Sequence, residues 1–260
     1  MEIRISDYYH PVDHRGSGRN SLLQKEKNVV KGCRNMKAYD RENGFWNEIY
    51  SECQPVDLRK ICLTVEPGFD GVLHEFGEKT SRVLDFGCGT GDIIFQYMQD
   101  FPEKKGVGID EAEKGIVFAK ETAKLSQYGK LHFFTGNSGM LDDFEDGEFD
   151  GIILSNVLDV MPEQVDETVL KRLDRVLAPG GYWFIKLNPY YTAKELRELD
   201  YESEGSHLYG EDGILRLHQE TTNHWKKIFE SYGTLERYME FRYPWQEGLN
   251  RLFLIKKQIS

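Results

Sequence analysis

The sequence predicts an α/β fold built on a doubly wound, mostly parallel sheet with an N-terminal helical extension. Between residues 83 and 187, short apolar segments alternate with segments of helical periodicity, which is typical of parallel strands joined by helices. The first strand runs directly into a glycine-rich turn, and two strand-like segments close the chain at about 234–243 and 249–257. With 260 residues, 39% of them hydrophobic, the chain can bury one large core with an appendage.

The turn after the first strand is the strongest local signal. The strand leads through Asp85 into Gly87-Cys88-Gly89-Thr90-Gly91, and the apolar residues after Asp92 start a helix. Glycine allows tight turns and close approach to a ligand, because it lacks a Cβ. Acids before and after the glycines would repel a pyrophosphate, so they favour a ligand that carries a positive charge.

A dinucleotide site is the rival interpretation of this turn. Its fingerprint, G-x-G-x-x-G, places a pyrophosphate at a helix N-terminus. Starting at Gly87, the pattern puts Asp92 where the third glycine belongs, and starting at Gly89 it requires a glycine where the chain has Ile94. The fingerprint is absent, which disfavours a dinucleotide oxidoreductase.

The segment from Asp85 to Gly91 resembles the first motif of the class I S-adenosylmethionine-dependent methyltransferases of the small-molecule type. The resemblance implies a Rossmann-like fold with a seven-stranded sheet, mostly parallel with an antiparallel C-terminal strand. The same resemblance implies S-adenosyl-L-methionine as cofactor and S-adenosyl-L-homocysteine as product. It also implies in-line methyl transfer to an oxygen, nitrogen or carbon of a small acceptor. The cofactor's amino-acid end would be held by Asp85, Gly87, Cys88 and Gly89.

The second strand ends in an acid that suits a ribose. Asp110 follows Gly106-Val107-Gly108-Ile109, about 20 residues after Gly91, where nucleotide-binding folds place an acid on the ribose hydroxyls. We therefore expect Asp110, with Glu111 beside it, to bind the ribose. Asp110 also suits the cap of the helix that follows, and the two roles are compatible.

The turn after the third strand carries the expected adenine contacts. Leu131–Thr135 leads into Gly136-Asn137-Ser138, and the resemblance implies that Asn137 and Ser138 contact the adenine. Asn137 stands where the family commonly has Asp, but its carbonyl still accepts a hydrogen bond from an amino group. The alternative is that Asn137 is only a turn residue in a left-handed conformation.

The turn after the fourth strand is where cofactor and acceptor should meet. The resemblance places Ser155 and Asn156 beside the methionine part of the cofactor, and Asp159 near the acceptor. Many small-molecule members carry a histidine close to this last position, and this chain does not. Asp159 is thus a weak catalytic candidate, and no base is needed if the acceptor is already nucleophilic. Other candidate bases without a supporting spacing are His10, His14, His207, His218 and Tyr190.

Four regions organise the chain. Residues 1–78 form an N-terminal extension or lid, whose aromatic residues between 39 and 50 suit an amphipathic helix, and residues 79–187 form the cofactor-binding core. Residues 188–220 form an insertion that we expect to shape the substrate pocket. Residues 221–260 supply the last helix and the strands that complete the sheet.

Composition limits the partners. A net charge of −11 disfavours nucleic acid, although the first 37 residues carry eight basic and four acidic side chains. The four cysteines lack metal or redox spacing, so no metal is expected. Without a long apolar run or a signal peptide, we expect a cytoplasmic monomer or homodimer with no membrane contact. A non-catalytic cofactor-binding module and an RNA or protein methyltransferase stay open as alternatives.

Overall fold

The computed structural model describes residues 38–259. Its strands are β1 (Arg82–Phe86), β2 (Lys105–Asp110), β3 (Leu131–Thr135), β4 (Phe149–Ser155), β5 (Leu177–Leu187), β6 (Glu202–Gly205), β7 (Leu208–Glu211), β8 (Ile214–His218), β9 (Thr234–Phe241) and β10 (Asn250–Lys256). Its helices are α1 (Glu42–Ser51), α2 (Pro67–Lys79), α3 (Asp92–Asp100), α4 (Glu113–Leu125), α5 (Glu163–Val176), α6 (Ala193–Glu198) and α7 (Thr222–Glu230).

The central sheet has seven strands in the order β3-β2-β1-β4-β5-β10-β9. Strands β1 to β5 pair in parallel, whereas β10 is antiparallel to both β5 and β9. The predicted mostly parallel sheet with an antiparallel C-terminal strand is therefore confirmed. The strand order reverses between β1 and β4, and in such sheets ligands bind at the carboxyl ends of the strands on either side of this point.

Helices cover both faces of the sheet because each presents an apolar stripe. In α5, Val169, Leu170, Leu173 and Val176 are buried at helical spacing against one face. Helices α2 and α3 supply the opposite face, where Phe76 packs against the ring of Phe184 of β5 with centroids 5.7 Å apart. Residues 178–181 form an irregular start of β5, where the register with β4 shifts.

The insertion after β5 contains structure that the sequence analysis did not predict. Helix α6 begins with a capping box between Thr192 and Glu195, and β6, β7 and β8 form a separate antiparallel sheet. Both hairpin turns use left-handed residues, Ser206-His207 in the first and Asp212-Gly213 in the second. Such pairs match the twist of a two-residue hairpin.

Within residues 38–259, no helix combines the length and the apolar composition needed to cross a bilayer. The same residues bring together no group of three His, Cys, Asp or Glu side chains that could hold a metal ion.

Candidate active site

A cavity of about 770 Å³ lies at the carboxyl ends of β1, β2 and β4. Its volume is within the range of about 300–1,000 Å³ that is usual for small-molecule sites. Every residue predicted to contact the cofactor lines it: Asp85, Gly87, Cys88, Gly89, Asp110, Glu111, Asn137, Ser138, Ser155 and Asn156. The cavity thus collects residues from four separate turns.

The glycine turn forms the floor of the cavity in a conformation that needs glycine. Gly87, Gly89 and Gly91 have φ values of +72°, +54° and +86°, which L side chains rarely adopt. A Cβ on Gly87 would lie 2.5 Å from Val157 Cγ2. The backbone N–H groups of Gly87 and Cys88 donate to the carbonyl oxygen of Ile109, so the turn is fixed to the end of β2.

Asp110 connects this turn to α4. One carboxylate oxygen accepts from the N–H of Gly89 and the other from the N–H of Ala112, each at 2.7 Å. Each oxygen has a second lone pair, which leaves capacity for ribose hydroxyls. The N-cap residue of α4 is Ala112 and not Asp110, so the cap role that the sequence suggested is wrong; Asp110 instead holds the N–H of Ala112 from its position on the cavity wall.

The cavity is strongly acidic near the glycine turn. Burial raises the pKa of Asp85 well above its usual range, and the nearby carboxyl groups of Asp110 and Asp92 raise it further. Burial is also the main cause that raises the pKa values of Asp110 and Glu111. Crowded, poorly hydrated carboxyl groups favour a cationic ligand, because a positive charge stabilises their ionised forms.

Asn137 starts the short turn on the adenine side. Its φ of −111° is extended, so the left-handed alternative does not describe this residue. Its side-chain oxygen accepts from the N–H of Gly139 at 2.9 Å, and its side chain also bonds to Glu111. Asn137 thereby joins the turn after β3 to the end of β2.

Lys186 is a cavity residue that the sequence analysis missed. It lies on β5 opposite Ser155 of β4, is 2% exposed, and lines the cavity. Its Nζ donates to the side-chain oxygen of Asn156 at 2.7 Å. Burial lowers the pKa of Lys186 to about 7, although Asp159 acts in the opposite direction. A lysine inside the apolar run Tyr182–Leu187 was the available signal.

Asp159 lies behind the cavity wall. It is fully buried, does not line the cavity, and accepts from the backbone N–H of Asn188. Burial raises its pKa, while the backbone hydrogen bond from Asn188 and the charges of Arg251 and Lys186 lower it. We therefore do not assign Asp159 to direct contact with an acceptor.

The remaining candidate bases are not cavity residues in the part of the chain that the structure describes. His207 is exposed and pairs with Glu220, and His218 is buried with its Nδ1 3.4 Å from an Asp166 oxygen. Tyr190 is half exposed and does not line the cavity. His10 and His14 lie outside the described residues.

Aromatic residues from three distant segments contribute to the cavity wall. They are Trp46 and Tyr50 of α1, Tyr191 and Tyr201 of the insertion, and Tyr243 and Trp245 after β9. The rings of Tyr243 and Trp245 are stacked, with centroids 4.8 Å apart and 7° between their planes. Flat apolar surfaces of this kind suit flat ligands.

The fold and the cavity define an α/β protein that binds a nucleotide-like cofactor at the switch point of its sheet. A family model described as "Methyltransferase domain" matches residues 78–233, and the chain belongs to this family. The chain therefore carries a class I methyltransferase domain, the kind of domain that uses S-adenosyl-L-methionine. The resemblance seen in the sequence is thereby confirmed.

Curated relatives match part of the chain. Demethylmenaquinone methyltransferase of Leptospira interrogans is 32% identical over 150 residues, which cover 56% of this chain and 53% of the relative. Uncharacterized protein RP028 of Rickettsia prowazekii is 26% identical over 110 residues, covering 42% and 44%. The chain spans about half the length of these relatives, so the acceptor and partners of the whole protein are matters for proposal.

Solved structures share the fold. PH0226 of Pyrococcus horikoshii aligns with a TM-score of 0.59 at 23% identity, over 73% of this chain and 88% of that protein. The 1,6-didemethyltoxoflavin-N1-methyltransferase of Burkholderia thailandensis, solved with 1,6-didemethyltoxoflavin and S-adenosylhomocysteine, also has a TM-score of 0.59. It is 16% identical and covers 96% of this chain and 98% of its own. At these identities the likeness concerns the fold.

The cavity residues fit this cofactor. The left-handed glycine turn keeps side chains away from the floor, and the acids beside it suit a ligand with ammonium and sulfonium groups. Asp110 offers two carboxylate oxygens at the position where nucleotide folds bind ribose. The donor set therefore agrees with the family assignment.

Proposed function

We propose that the protein transfers a methyl group from S-adenosyl-L-methionine to a small-molecule acceptor held in the same cavity. The observation that carries this proposal is the aromatic wall, to which α1, the insertion and the segment after β9 each contribute. An acceptor enclosed by rings from three separate segments is a small flat compound rather than an extended polymer. The net charge of −11 also opposes a nucleic-acid acceptor.

The proposal assigns each turn a part of the cofactor. Asp85 and the backbone of Gly87, Cys88 and Gly89 hold the amino-acid end, and Asp110 with Glu111 holds the ribose. Contacts to the adenine come from Asn137 and Ser138, and Ser155 and Asn156 border the methionine end. When bound, the cofactor supplies an activated methyl group on a positively charged sulfur.

The protein's own contribution is to orient the two ligands and to keep water out. Tyr50 of α1 lies directly over the glycine turn, because its hydroxyl would be 2.6 Å from a Cβ on Gly89. Arg216 of β8 lies 4.0 Å from the ring centroid of Phe45, which joins the insertion to α1. Residues 1–78 then serve as a lid and residues 188–220 as an acceptor-shaping insertion. Alignment in a dry site can supply about 7–11 kcal/mol of the barrier without a covalent intermediate.

Two names among the relatives and the neighbours in fold support a small acceptor. One is named for demethylmenaquinone, and a neighbour in fold is named for 1,6-didemethyltoxoflavin.

Methyl transfer from radiolabelled cofactor tests this function. The protein would be incubated with a cell extract separated into small molecules and macromolecules, and an Asp110→Ala variant would report background. We expect label in the small-molecule fraction only. Label confined to RNA or protein, or no transfer into either fraction, would contradict the proposal.

Binding of the cofactor should weaken as the pH falls. The free protein holds Asp85, Asp110 and Glu111 with raised pKa values, and a cationic ligand lowers them, so binding releases protons and is strongest above those values. S-adenosylmethionine carries the sulfonium charge that S-adenosylhomocysteine lacks. Titration calorimetry between pH 5 and 8 should therefore show that the affinity falls more steeply with decreasing pH for S-adenosylmethionine than for S-adenosylhomocysteine. Equal pH dependence of the two ligands would refute this electrostatic account.

A further inference from the structure

Lys186 is a buried basic group that the cofactor assignment leaves unused. Its Nζ borders the cavity beside Asn156 and lies 5.0 Å from the ring centroid of Tyr243. Among residues 38–259, no carboxylate forms an ion pair with it within 4.0 Å. Burying a charge without a partner is costly, so this environment favours the neutral amine.

Asn156 and Tyr243 hold the amine of Lys186 at the cavity wall. Asn156 has a left-handed φ of +54° and its side-chain oxygen takes one N–H of Lys186, so the lone pair of a neutral amine is left for another partner. Three ionisable groups surround the amine. Asp159 lies behind the wall, Tyr243 is kept neutral because burial raises its pKa, and Arg251 of the adjacent β10 also interacts with Asp159.

The aromatic stack stands next to this amine. Tyr243 contacts both the Nζ of Lys186 and the ring of Trp245, so the basic group lies at the edge of a flat apolar surface. A flat ring with an acidic hydroxyl matches both features. The ring of such a ligand would lie on the Tyr243–Trp245 stack, and its hydroxyl would contact the amine of Lys186.

Resting on the proposed function, we propose that Lys186 is a catalytic base that takes the proton from an acidic ring hydroxyl of a planar acceptor. The O–H bond breaks and its proton binds the Nζ lone pair, which gives an ammonium beside an oxyanion. An electron pair of that oxygen forms the new bond to the methyl carbon, and the electron pair of the broken carbon–sulfur bond returns to sulfur. The ammonium then releases its proton to solvent.

The chemistry limits the acceptor class. Burial lowers the pKa of Lys186 to about 7, so a share of the amine is neutral at neutral pH and can accept a proton. Proton transfer to this amine from a phenol with the reference pKa of about 10 is uphill by about 3 pKa units, so it favours a ring whose substituents make the hydroxyl more acidic. A simple alcohol is far too weak an acid, and a protonated amine would be repelled by an ammonium at this position. A phenol or a ring enol is the class that remains.

The test measures the ionisation of a bound phenol, which does not require turnover. The probe is 4-nitrophenol, whose phenolate absorbs in the visible, added to the protein saturated with S-adenosylhomocysteine. Below its solution pKa, we expect the bound probe to show the phenolate band with the wild type and to lose it with Lys186→Met. Lys186→Arg keeps a charge but offers no base at neutral pH, so its binding of the phenolate should release to the solvent a proton that the wild type keeps on Nζ.

A matched control distinguishes a structural effect. Lys256 lies over the ring of Tyr182 at 5.7 Å and does not line the cavity, so Lys256→Met should leave the phenolate band intact. An unchanged band in Lys186→Met, or no binding of the probe to the wild type, would overturn the assignment.

Kinetics provide the second measurement. On a phenol that the wild type methylates, kcat/KM of Lys186→Met should fall by about 10²–10⁴-fold and lose the limb of the pH profile that reports a base with a pKa near 7. Lys186→Met and Lys186→Arg should both retain cofactor binding. Small-molecule methylation that is unaffected by Lys186→Met would refute the role of Lys186 and leave the proposed function standing. Failure of the wild type on every small molecule would instead refute the function.

Discussion

Gly87→Val should cost about 2–5 kcal/mol, divided between the stability of the glycine turn and the affinity for S-adenosylmethionine. The residue has a φ of +72°, which a β-branched side chain strongly disfavours. The new Cβ would also lie 2.5 Å from Val157 Cγ2, so the turn after β4 must shift as well. Thermal unfolding and titration calorimetry would measure the two parts.

Gly71→Ala is the matched control for this substitution. Gly71 lies in the middle of α2 with open space around its Cβ position, so alanine should raise stability by about 0.5–1 kcal/mol through helix propensity. Its cofactor affinity should equal that of the wild type. A Gly87→Val protein with normal affinity and stability would show that the left-handed turn is not required.

Asp110→Ala should weaken cofactor binding by about 1–3 kcal/mol, or about 5- to 150-fold. The substitution removes the proposed ribose acceptor and also the bonds to the N–H groups of Gly89 and Ala112. An exposed acid elsewhere, Asp146, provides a control of equal charge change. Asp146→Ala should bind the cofactor normally.

A coupling experiment separates the ribose bond from the support of the turn. S-adenosylhomocysteine and its 2′-deoxy and 3′-deoxy analogues would be titrated into the wild type and into Asp110→Ala. If Asp110 binds a ribose hydroxyl, removing that hydroxyl weakens binding to the wild type and has little further effect in the variant. Equal losses in both proteins would reject the ribose assignment.

The cofactor side of the site was predictable because its signals are local. The spacing of Gly87, Gly89 and Gly91 requires an unusual backbone, and Asp110 ends a strand at a fixed distance from them. Strands of a parallel sheet end at one edge, so residues at strand ends converge whatever the details of packing. The parallel part of the sheet follows from the same alternation of strands and helices, whereas the count of seven strands came from the resemblance to the family.

The acceptor side was not predictable in the same way. Strands β6 to β8 are four or five residues long and lack clear alternation, and Asp212-Gly213 was the one strong hairpin signal in this segment. The stack of Tyr243 on Trp245 reaches the cavity only through the pairing of β9 with β10. Such contacts depend on tertiary packing and leave no short pattern in the sequence.

Two single residues show the limit of motif reasoning. Asp159 follows the fourth strand as a candidate base should, but the short helix there turns its side chain into the protein, where it binds the N–H of Asn188. Lys186 lies in an apolar strand and belongs to no motif, yet its place near the carboxyl end of β5 brings its side chain to the cavity. Side-chain direction decided both cases.

Titration calorimetry with S-adenosylmethionine and S-adenosylhomocysteine on the wild-type protein tests the central claim most directly. Measurements at two temperatures prevent a vanishing enthalpy from hiding binding, and circular dichroism confirms that the protein is folded. We predict saturable binding of both ligands at one site and none of reduced nicotinamide dinucleotide. Folded protein that gives no heat with either adenosyl ligand at both temperatures, or that binds only the dinucleotide, would contradict the account.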